Sequence, residues 1–404
     1  MRYSTALFAL AAPLLASAAP ARFYGKRADS DILVFKFADV LEQLESAFYE
    51  QAIAKFKDAD FTAAGFSSSQ IPIEQFLNIQ ADEATHSVAL QAALKSFGET
   101  PITGCKFNFD SALTDVATMA ATARVVENVG VTAYLGGATL LTDPVLLTAA
   151  GSILTVEARH QTILNVLSGT GTAIPAAFDF AFTPSEVLAL AGPFITGGCE
   201  IPIPANTPLG LTNTGTVAPG TLLKFQASSI NGTVPEDSLF CQMLVGGAPF
   251  SIPLPLSQCV VPEGINGPVA LFITTDGQPL INNVRDRAQN KVIAGPALAF
   301  IDTKPELIAQ VIRGASASGS NGQQQSSTST RTISPAEASS IVVSAGATAT
   351  DAGAPAPTST SSTDGYAQAP AGNGASSGAG PNQYTGKSAD GKITVNGWKG
   401  QTSA

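Results

Sequence analysis

The sequence contains few of the residues on which most enzyme active sites depend. Among 404 residues it has two histidines, four cysteines and one tryptophan, and only 13% of the residues are charged. A Ser-His-Asp or Cys-His arrangement is not supported, because both histidines follow a different pattern, each standing three residues after a glutamate. The net charge of −10 argues against nucleic-acid binding, which requires a basic surface. The composition suits a soluble protein that carries cations or works in acidic surroundings.

Long apolar runs are also scarce, and the main one stands at the N-terminus. Residues 1–18 combine a basic residue, an apolar run and a small-residue cleavage site, which is typical of a secretory signal peptide. Residues 19–27 end at Lys26-Arg27 and are predicted to be a propeptide. No later segment reaches the roughly 18 uninterrupted apolar residues that a membrane span requires. We therefore expect an exported protein without a membrane span.

Four cysteines are compatible with disulfides in an oxidising compartment. Sequence alone permits three pairings, and we favour Cys105–Cys199 and Cys241–Cys259. The second pair would lie within one β-rich region, and the first would tie a helix junction to the segment that follows the helices. Asn231 begins an Asn-Gly-Thr sequon, so N-glycosylation is expected there, although a single sequon also arises by chance.

Residues 30–197 are predicted to be helical. Apolar residues recur at helical spacing over four long segments, bounded by capping residues, prolines and glycines. A shorter fifth helix is expected after Thr183-Pro184. Amphipathic helices of this length are expected to pack as a four-helix bundle around a shared apolar seam. The predicted long helices span 31–56, 73–97, 111–135 and 144–167.

The sequence pattern changes from helical to β-type after Cys199. Residues 198–313 contain short segments with β preference between turns rich in proline and glycine, which predicts a small β-sandwich closed by a short helix over 305–312. Residues 314–404 are rich in Ser, Thr, Ala, Gly and Gln, and we expect a disordered tail because little apolar surface is available for burial. Its glycine runs lack the strand-to-helix context of a nucleotide-binding loop.

The two histidines occur in the same local frame. Glu83 and His86 lie in ADEATHSV, and Glu157 and His160 lie in TVEARHQT. On a helix, residues three apart share a face, so each pair can present a carboxylate and an imidazole to one point. One such pair is weak evidence, but its repetition on the second and fourth predicted helices indicates a metal site between the helices.

The other two helices provide further carboxylates. In LEQLESAFY and VENVGVTAY, Glu42 and Glu127 each stand seven residues before a tyrosine, Tyr49 or Tyr134. This repeat favours Glu42 over Glu45 as a ligand, although Glu45 lies one turn away and stays a rival. A dimetal site in a helix bundle needs one glutamate from each of two helices and Glu-x-x-His from each of the others. The predicted ligands are Glu42, Glu83, His86, Glu127, Glu157 and His160.

The charge of this set also favours metal. Four carboxylates and two neutral imidazoles carry four negative charges, which two divalent cations would balance, whereas uncompensated carboxylates inside an apolar bundle are costly. Carboxylate and imidazole ligands suit iron or manganese, and zinc less specifically. An open coordination position would accept a small oxidant such as dioxygen or peroxide. The alternative is that the glutamates lie on the surface and the two histidines are buried structural residues. This alternative does not explain why both histidines occur in the same Glu-x-x-His motif.

Four motifs within residues 30–170 resemble ferritin-like domains: VLEQLESAFYEQAI, DEATHSVAL, ENVGVTAYLGGA and ILTVEARHQTIL. More narrowly, they resemble the fungal secreted ferritin-like proteins described as stress-response or late-sexual-development proteins. Those proteins share a signal peptide, the bundle and a C-terminal extension. The resemblance covers the bundle densely and the C-terminal half loosely. The wider superfamily implies a carboxylate-bridged dimetal centre that oxidises ferrous iron, disproportionates peroxide or activates oxygen.

Several roles stay open from sequence. Tyr49 and Tyr134 are either hydrogen-bond partners of the ligands or ordinary core residues. Asp82 could hydrogen-bond near the site, but we favour a solvated position for it. Glu50 and Glu74 are expected to be surface charges. The function classes are a redox dimetal protein, a metal-sequestering protein without turnover, and a structural or cell-wall protein. Catalytic residues and oligomeric state are not determined, and the β region is expected to serve interaction or to cover the bundle.

Overall fold

The computed structural model describes residues 29–314 and two short strands, Gly386–Lys387 and Thr394–Val395. The predicted signal peptide and propeptide, and most of the predicted tail, lie outside the described residues. Residues 29–314 fall within one compact unit, and the two short strands belong to a second unit. Within the first unit a helical region is followed by small antiparallel sheets, in agreement with the predicted fold class.

Seven α-helices are present in the described residues. Helix α1 packs against α3, and α4 packs against α5, which pairs the four long helices as a bundle. None of the described helices is long and apolar enough to cross a membrane. The helices are α1 (Asp29–Lys55), α2 (Asp58–Ala63), α3 (Gln70–Ser96), α4 (Val116–Ala138), α5 (Pro144–Leu167), α6 (Pro184–Ala191) and α7 (Leu307–Ile312).

Capping side chains explain where several helices begin. Helix α5 begins at the predicted residue because the Asp143 side chain accepts from the Val145 backbone N–H at 2.8 Å. Thr183 and Glu186 form a capping box at the start of α6. The predicted start of α4 at residue 111 is wrong, since Asp115 is the residue that caps this helix. Asp110 instead lies in a turn, where its backbone N–H donates to the Asn108 side chain.

The β region contains a four-stranded antiparallel sheet in the order β6-β5-β7-β8. Two-stranded antiparallel sheets are formed by β1 with β2, β3 with β4, and β9 with β10. The strands are β1 (Lys106–Phe107), β2 (Ile195–Gly197), β3 (Gly210–Leu211), β4 (Phe225–Gln226), β5 (Phe240–Val245), β6 (Ile252–Pro255), β7 (Gly267–Thr274), β8 (Val292–Ile301), β9 (Gly386–Lys387) and β10 (Thr394–Val395).

Strand β7, in the interior of the four-stranded sheet, is buried on both faces. Alternate residues of a strand point to opposite faces, and along β7 Leu271 and Ile273 belong to a core shared with the β3–β4 hairpin. Ala270 and Phe272 face the other way, into the core of the helical bundle. The Phe272 ring meets the Phe182 ring edge-on at 6.3 Å between centroids. The helical and β regions that sequence separates at residue 197 therefore share one hydrophobic core.

Polar contacts strengthen this junction. Arg287 donates to Glu186 at 2.6 Å, and both side chains are fully buried. Arg124 of α4 forms two parallel hydrogen bonds of 2.8 Å to Asp302, and its guanidinium lies 4.0 Å from the centroid of the Phe300 ring. Paired, hydrogen-bonded charges of this kind can be buried without the cost of an isolated ion.

Both disulfides join the cysteines that sequence analysis paired. Cys105–Cys199 links the segment between α3 and α4 to the segment after α6, and Cys241–Cys259 lies within the β region. No free cysteine occurs in the described part of the chain. These covalent links are compatible with an extracellular protein.

Candidate metal centre

The centre of the bundle contains charged residues where an ordinary four-helix core would be apolar. Each of the four long helices directs ligand-type side chains inward: one glutamate from α1, one from α4, and a Glu-x-x-His pair from each of α3 and α5. All four glutamates are fully buried. The histidine side chains are nearly buried, with exposures of 12% for His86 and 7% for His160.

The six predicted ligands form two overlapping groups. Within each group, one donor atom from each residue lies within 4.8 Å of all the others. Glu83 and Glu157 belong to both groups, whereas each of the remaining glutamates and histidines belongs to one. This arrangement fits two ions bridged by two carboxylates, with one terminal glutamate and one histidine on each ion. The groups are Glu42, Glu83, His86 and Glu157, and Glu83, Glu127, Glu157 and His160.

The histidine nitrogens lie close to several carboxylates at once. His86 Nδ1 is 3.2 Å from Glu42 Oε2, 3.2 Å from Glu83 Oε2 and 3.4 Å from Glu157 Oε1. His160 Nδ1 is 2.8 Å from Glu83 Oε1 and 3.2 Å from an oxygen of the α4 glutamate. A single ring N–H satisfies one acceptor well, so three converging carboxylates exceed what hydrogen bonding to the histidine requires.

Several buried donor atoms of the site have no hydrogen-bond partner among the described residues. Although His160 Nδ1 and Glu83 Oε1 are close, neither makes a hydrogen bond of acceptable geometry. Both carboxylate oxygens of Glu157 and one of Glu127 are also without such a partner. Buried polar atoms are almost always satisfied, and unsatisfied ones call for an explanation such as a bound ion. These atoms could serve as ligands of cations, and the donor set fits a dimetal centre.

Tyr49 and Tyr134 both contact the site, which sequence left undecided. The Tyr49 hydroxyl donates to Glu127 at 2.6 Å, and the Tyr134 hydroxyl donates to Glu42 through a short hydrogen bond. Each tyrosine therefore orients the terminal glutamate of the other helix pair. The two interactions follow the same twofold pattern as the two groups of donor atoms.

Asp82 contacts the site, which was the less favoured of the two alternatives from sequence. We expected a solvated residue, and the side chain is indeed 53% exposed, but one oxygen lies 3.2 Å from His160 Nε2. A carboxylate on the outer nitrogen holds the ring so that its other nitrogen faces the centre. The signal in the sequence is that Asp82 directly precedes Glu83. Consecutive residues of a helix point to adjacent sides, so Asp82 lies beside the face that carries the ligands. Glu50 and Glu74 are exposed, as surface charges should be.

Burial and mutual repulsion strongly perturb the acids and bases of the site. Burial raises the pKa of Glu42 to about 8, with a further contribution from the negative charge of Glu83. Burial also raises the pKa of Glu157 well above its ordinary value. For His160, burial lowers the pKa, but the nearby carboxylates of Asp82, Glu127 and Glu83 favour the protonated ring, outweigh this effect and raise the pKa to about 12. Divalent cations would favour the ionised carboxylates, since opposite charge stabilises the charged form.

Glu45 is buried beside the site but belongs to neither group of donor atoms. In the repeat that pairs Glu42 with Glu127, the residue of α4 that corresponds to Glu45 is Gly130. A β-carbon at Gly130 would lie 2.4 Å from Glu157 Oε2, so only glycine leaves room for this carboxylate. The sequence signal was a glycine inside an apolar helix, where it costs stability and often marks close approach.

Residues 30–170 match the ferritin-like domain family, and this part of the chain is therefore a ferritin-like domain. The match spans the four long helices that carry all six candidate ligands. No curated protein shows significant sequence similarity to the chain.

Proposed function

We propose that the protein is a secreted ferritin-like protein that binds two iron or manganese ions and carries out redox chemistry with peroxide or dioxygen. The observation that supports this proposal is the buried set of ligand-type side chains repeated on two helix pairs, in which several donor atoms lack hydrogen-bond partners among the described residues. The resemblance to fungal stress-response and late-sexual-development proteins supports a role in stress or development. Zinc fits the ligand types less specifically.

We assign one ion to Glu42 and His86 and the other to Glu127 and His160. Glu83 and Glu157 would bridge the two ions, because each belongs to both groups of donor atoms. Four carboxylates with neutral imidazoles match the charge of two divalent ions. Without cations, these ionised carboxylates would be buried at a cost of several kcal/mol each.

The bound ions would supply electron transfer to a small oxidant. The protein's own residues determine the surroundings of that chemistry. The two tyrosine hydroxyls hold the terminal glutamates through hydrogen bonds, and Asp82 holds the His160 ring. Burial of the glutamates excludes bulk water, which strengthens electrostatic interactions inside the site.

Elemental analysis of purified protein after reconstitution with Fe²⁺ or Mn²⁺ tests metal binding. We expect about two ions per chain in the wild type. We expect Glu157→Gln to lose most of this metal, because the residue serves both ions. The exposed Glu74→Gln is the matched control and should retain it. Fewer than one ion per chain in the wild type would contradict the proposal.

Metal sequestration without turnover is a second candidate. The observation that favours it is the near-complete burial of all six ligands, which suits retention of ions more than rapid exchange of substrates. A peroxide-decay assay on the metal-loaded protein separates the two functions. Loss of peroxide that depends on Glu157 supports redox chemistry, and unchanged peroxide together with two bound ions supports sequestration.

The extracellular location is part of the same proposal. The predicted signal peptide, the two disulfides and the exposed Asn231 of the glycosylation sequon support it. The Ser- and Thr-rich C-terminal segment also supports cell-wall association. Fractionation of cells that express the full chain tests this, and recovery of the protein inside the cell with its N-terminus uncleaved would contradict it.

A further inference from the structure

A cleft separate from the metal centre opens at the end of the bundle, where α1 is followed by α2. It has a volume of about 390 Å³, and small-molecule sites typically measure roughly 300–1,000 Å³. Residues from the region of α1 to α4 line it, and none of them is a candidate metal ligand. Its large apolar lining residues are Ile53, Phe56, Phe61, Ile73, Phe76 and Met119.

Packed aromatic side chains form the inner wall of this cleft. Phe61 and Phe76 are almost completely buried, and their ring centroids lie 6.0 Å apart. The Phe61 ring also meets the Phe66 ring edge-on, at 5.9 Å between centroids. Because each ring is held by a neighbour, the cleft is already formed without a ligand, as most small-molecule sites are.

The inner part of the cleft favours an aromatic ligand. Its buried lining side chains are all apolar, namely Ala52, Phe56, Phe61, Phe76 and Met119. A water molecule needs about two to four polar partners, so these side chains do not hold water well. Phenylalanine rings and a thioether sulfur both attract a further aromatic ring.

The outer part of the cleft carries two opposite charges. Its exposed lining residues are Lys57, Asp58 and Ala59. The Lys57 ammonium donates to the backbone carbonyls of Ala54 at 2.7 Å and Ile53 at 3.4 Å, and no acceptor for its third N–H group occurs among the described residues. Asp58 would repel a ligand carboxylate, and Lys57 would repel a ligand ammonium. A hydroxyl group can accept from the ammonium and donate to the carboxylate.

From this lining we infer that the cleft binds a small neutral phenol, with its ring against the phenylalanines and its hydroxyl between Lys57 and Asp58. A phenol combines an apolar ring with one group that both donates and accepts a hydrogen bond. It is also uncharged at neutral pH, since a phenolic hydroxyl has a pKa of about 10. The cleft shares no residue with the metal centre, so ligand binding there does not depend on the proposed function.

Isothermal titration calorimetry of the full protein with 4-ethylphenol tests this assignment. We expect one molecule to bind per chain, both in the presence and in the absence of Mn²⁺. Ethylbenzene has the same ring and ethyl group without the hydroxyl, and it should bind about tenfold more weakly, because hydrogen bonds to charged groups are among the stronger ones. Lys57→Met should remove most of this preference and leave the affinity for ethylbenzene unchanged.

Two variants of α2 locate the binding. Ala59 and Ala63 are both exposed on this helix, but only Ala59 lines the cleft. Ala59→Trp should block the opening and abolish saturable binding of 4-ethylphenol, whereas Ala63→Trp should bind it as the wild type does.

The opposite results are equally distinct. Absence of saturable binding in the wild type, or equal loss in the two tryptophan variants, would overturn the inference. Equal affinities of the wild type for 4-ethylphenol and ethylbenzene would overturn the assignment to a phenol. Binding of 4-ethylphenol by a protein that does not bind Mn²⁺ would support the inference and contradict only the proposed function.

Discussion

At the scale of residues, the candidate centre depends on small residues that leave space for the ligands as well as on the side chains that provide ligand atoms. The Glu-x-x-His pairs bring donors to one face of a helix, and Gly130 keeps the opposite helix from blocking Glu157. Glycine inside a helix costs roughly 0.5–1 kcal/mol relative to alanine. At Gly130 this cost accompanies the close approach of Glu157, the carboxylate on α5 that belongs to both groups of donor atoms.

Gly130→Ala should therefore weaken metal binding. The new methyl group would displace Glu157 from its position between the two groups of donor atoms, and we expect at least a tenfold loss of Mn²⁺ affinity, by analogy with changes to residues that orient ligands. Gly151→Ala in α5 is the matched control, because nothing lies within 4 Å of its β-carbon. It should stabilise the fold by about 0.5–1 kcal/mol and leave affinity intact. Equal metal affinities in the two variants would contradict the role of Gly130.

At the scale of elements, the helix that carries Glu127 is held in place by the β region. Arg124 stands one turn before Glu127 on α4 and binds Asp302, which follows β8. Burial raises the pKa of Asp302, but hydrogen bonds and the charge of Arg124 outweigh this effect and lower it below the ordinary value of 3.8. A lowered pKa means that the ionised form stabilises the folded state.

The Arg124–Asp302 pair should make the protein sensitive to acid. The lowered pKa implies that its contribution is fully present above about pH 3.8 and is lost as the pH falls through the folded-state pKa. At pH 7, Asp302→Asn should lower the free energy of unfolding by about 3 kcal/mol, since it leaves a buried arginine unpaired. Denaturant titrations at several pH values should show this difference shrinking below about pH 3.8. A constant difference across that range, or a similar effect from the exposed Asp237→Asn, would contradict the assignment.

At the scale of the whole molecule, the ferritin-like domain and the β region act as one folded body. The paired strands β5 and β7 pack with one face of the sheet against the helices and with the other face against the β3–β4 hairpin. The Cys105–Cys199 disulfide closes a sequence separation of 94 residues, which spans α4, α5 and α6. The Cys241–Cys259 disulfide closes a separation of only 18 residues within the β region.

Removal of these disulfides should destabilise the protein unequally. In the chain-entropy description, the long loop of Cys105–Cys199 is worth about 4–5 kcal/mol and the short loop of Cys241–Cys259 about 3 kcal/mol. Thermal unfolding of the double Cys→Ser variant of each pair measures the two effects. The variant that lacks Cys105–Cys199 should have the lower midpoint, and the opposite order would contradict this account.

Much of the fold follows from local pattern. The start of α5 could be predicted because Asp143 caps it, whereas the start of α4 was misplaced because Asp110 was taken as its cap and Asp115 is the residue that caps it. The predicted β region is present, but its packing on the bundle was not predicted. A strand buried on both faces lacks the alternation that would show which face meets which partner.

The sequence by itself determined which residue types could form a metal centre, because periodicity places Glu-x-x-His on one helix face and the repeat selects Glu42 and Glu127. Only the tertiary structure decided which carboxylates belong to both groups of donor atoms, which histidine Asp82 contacts, and that Glu45 and Glu157 both approach Gly130. The physical reason is that these relations join different helices, and distances between helices are set by core packing. Helical periodicity specifies a face of one helix and nothing about its distance from another.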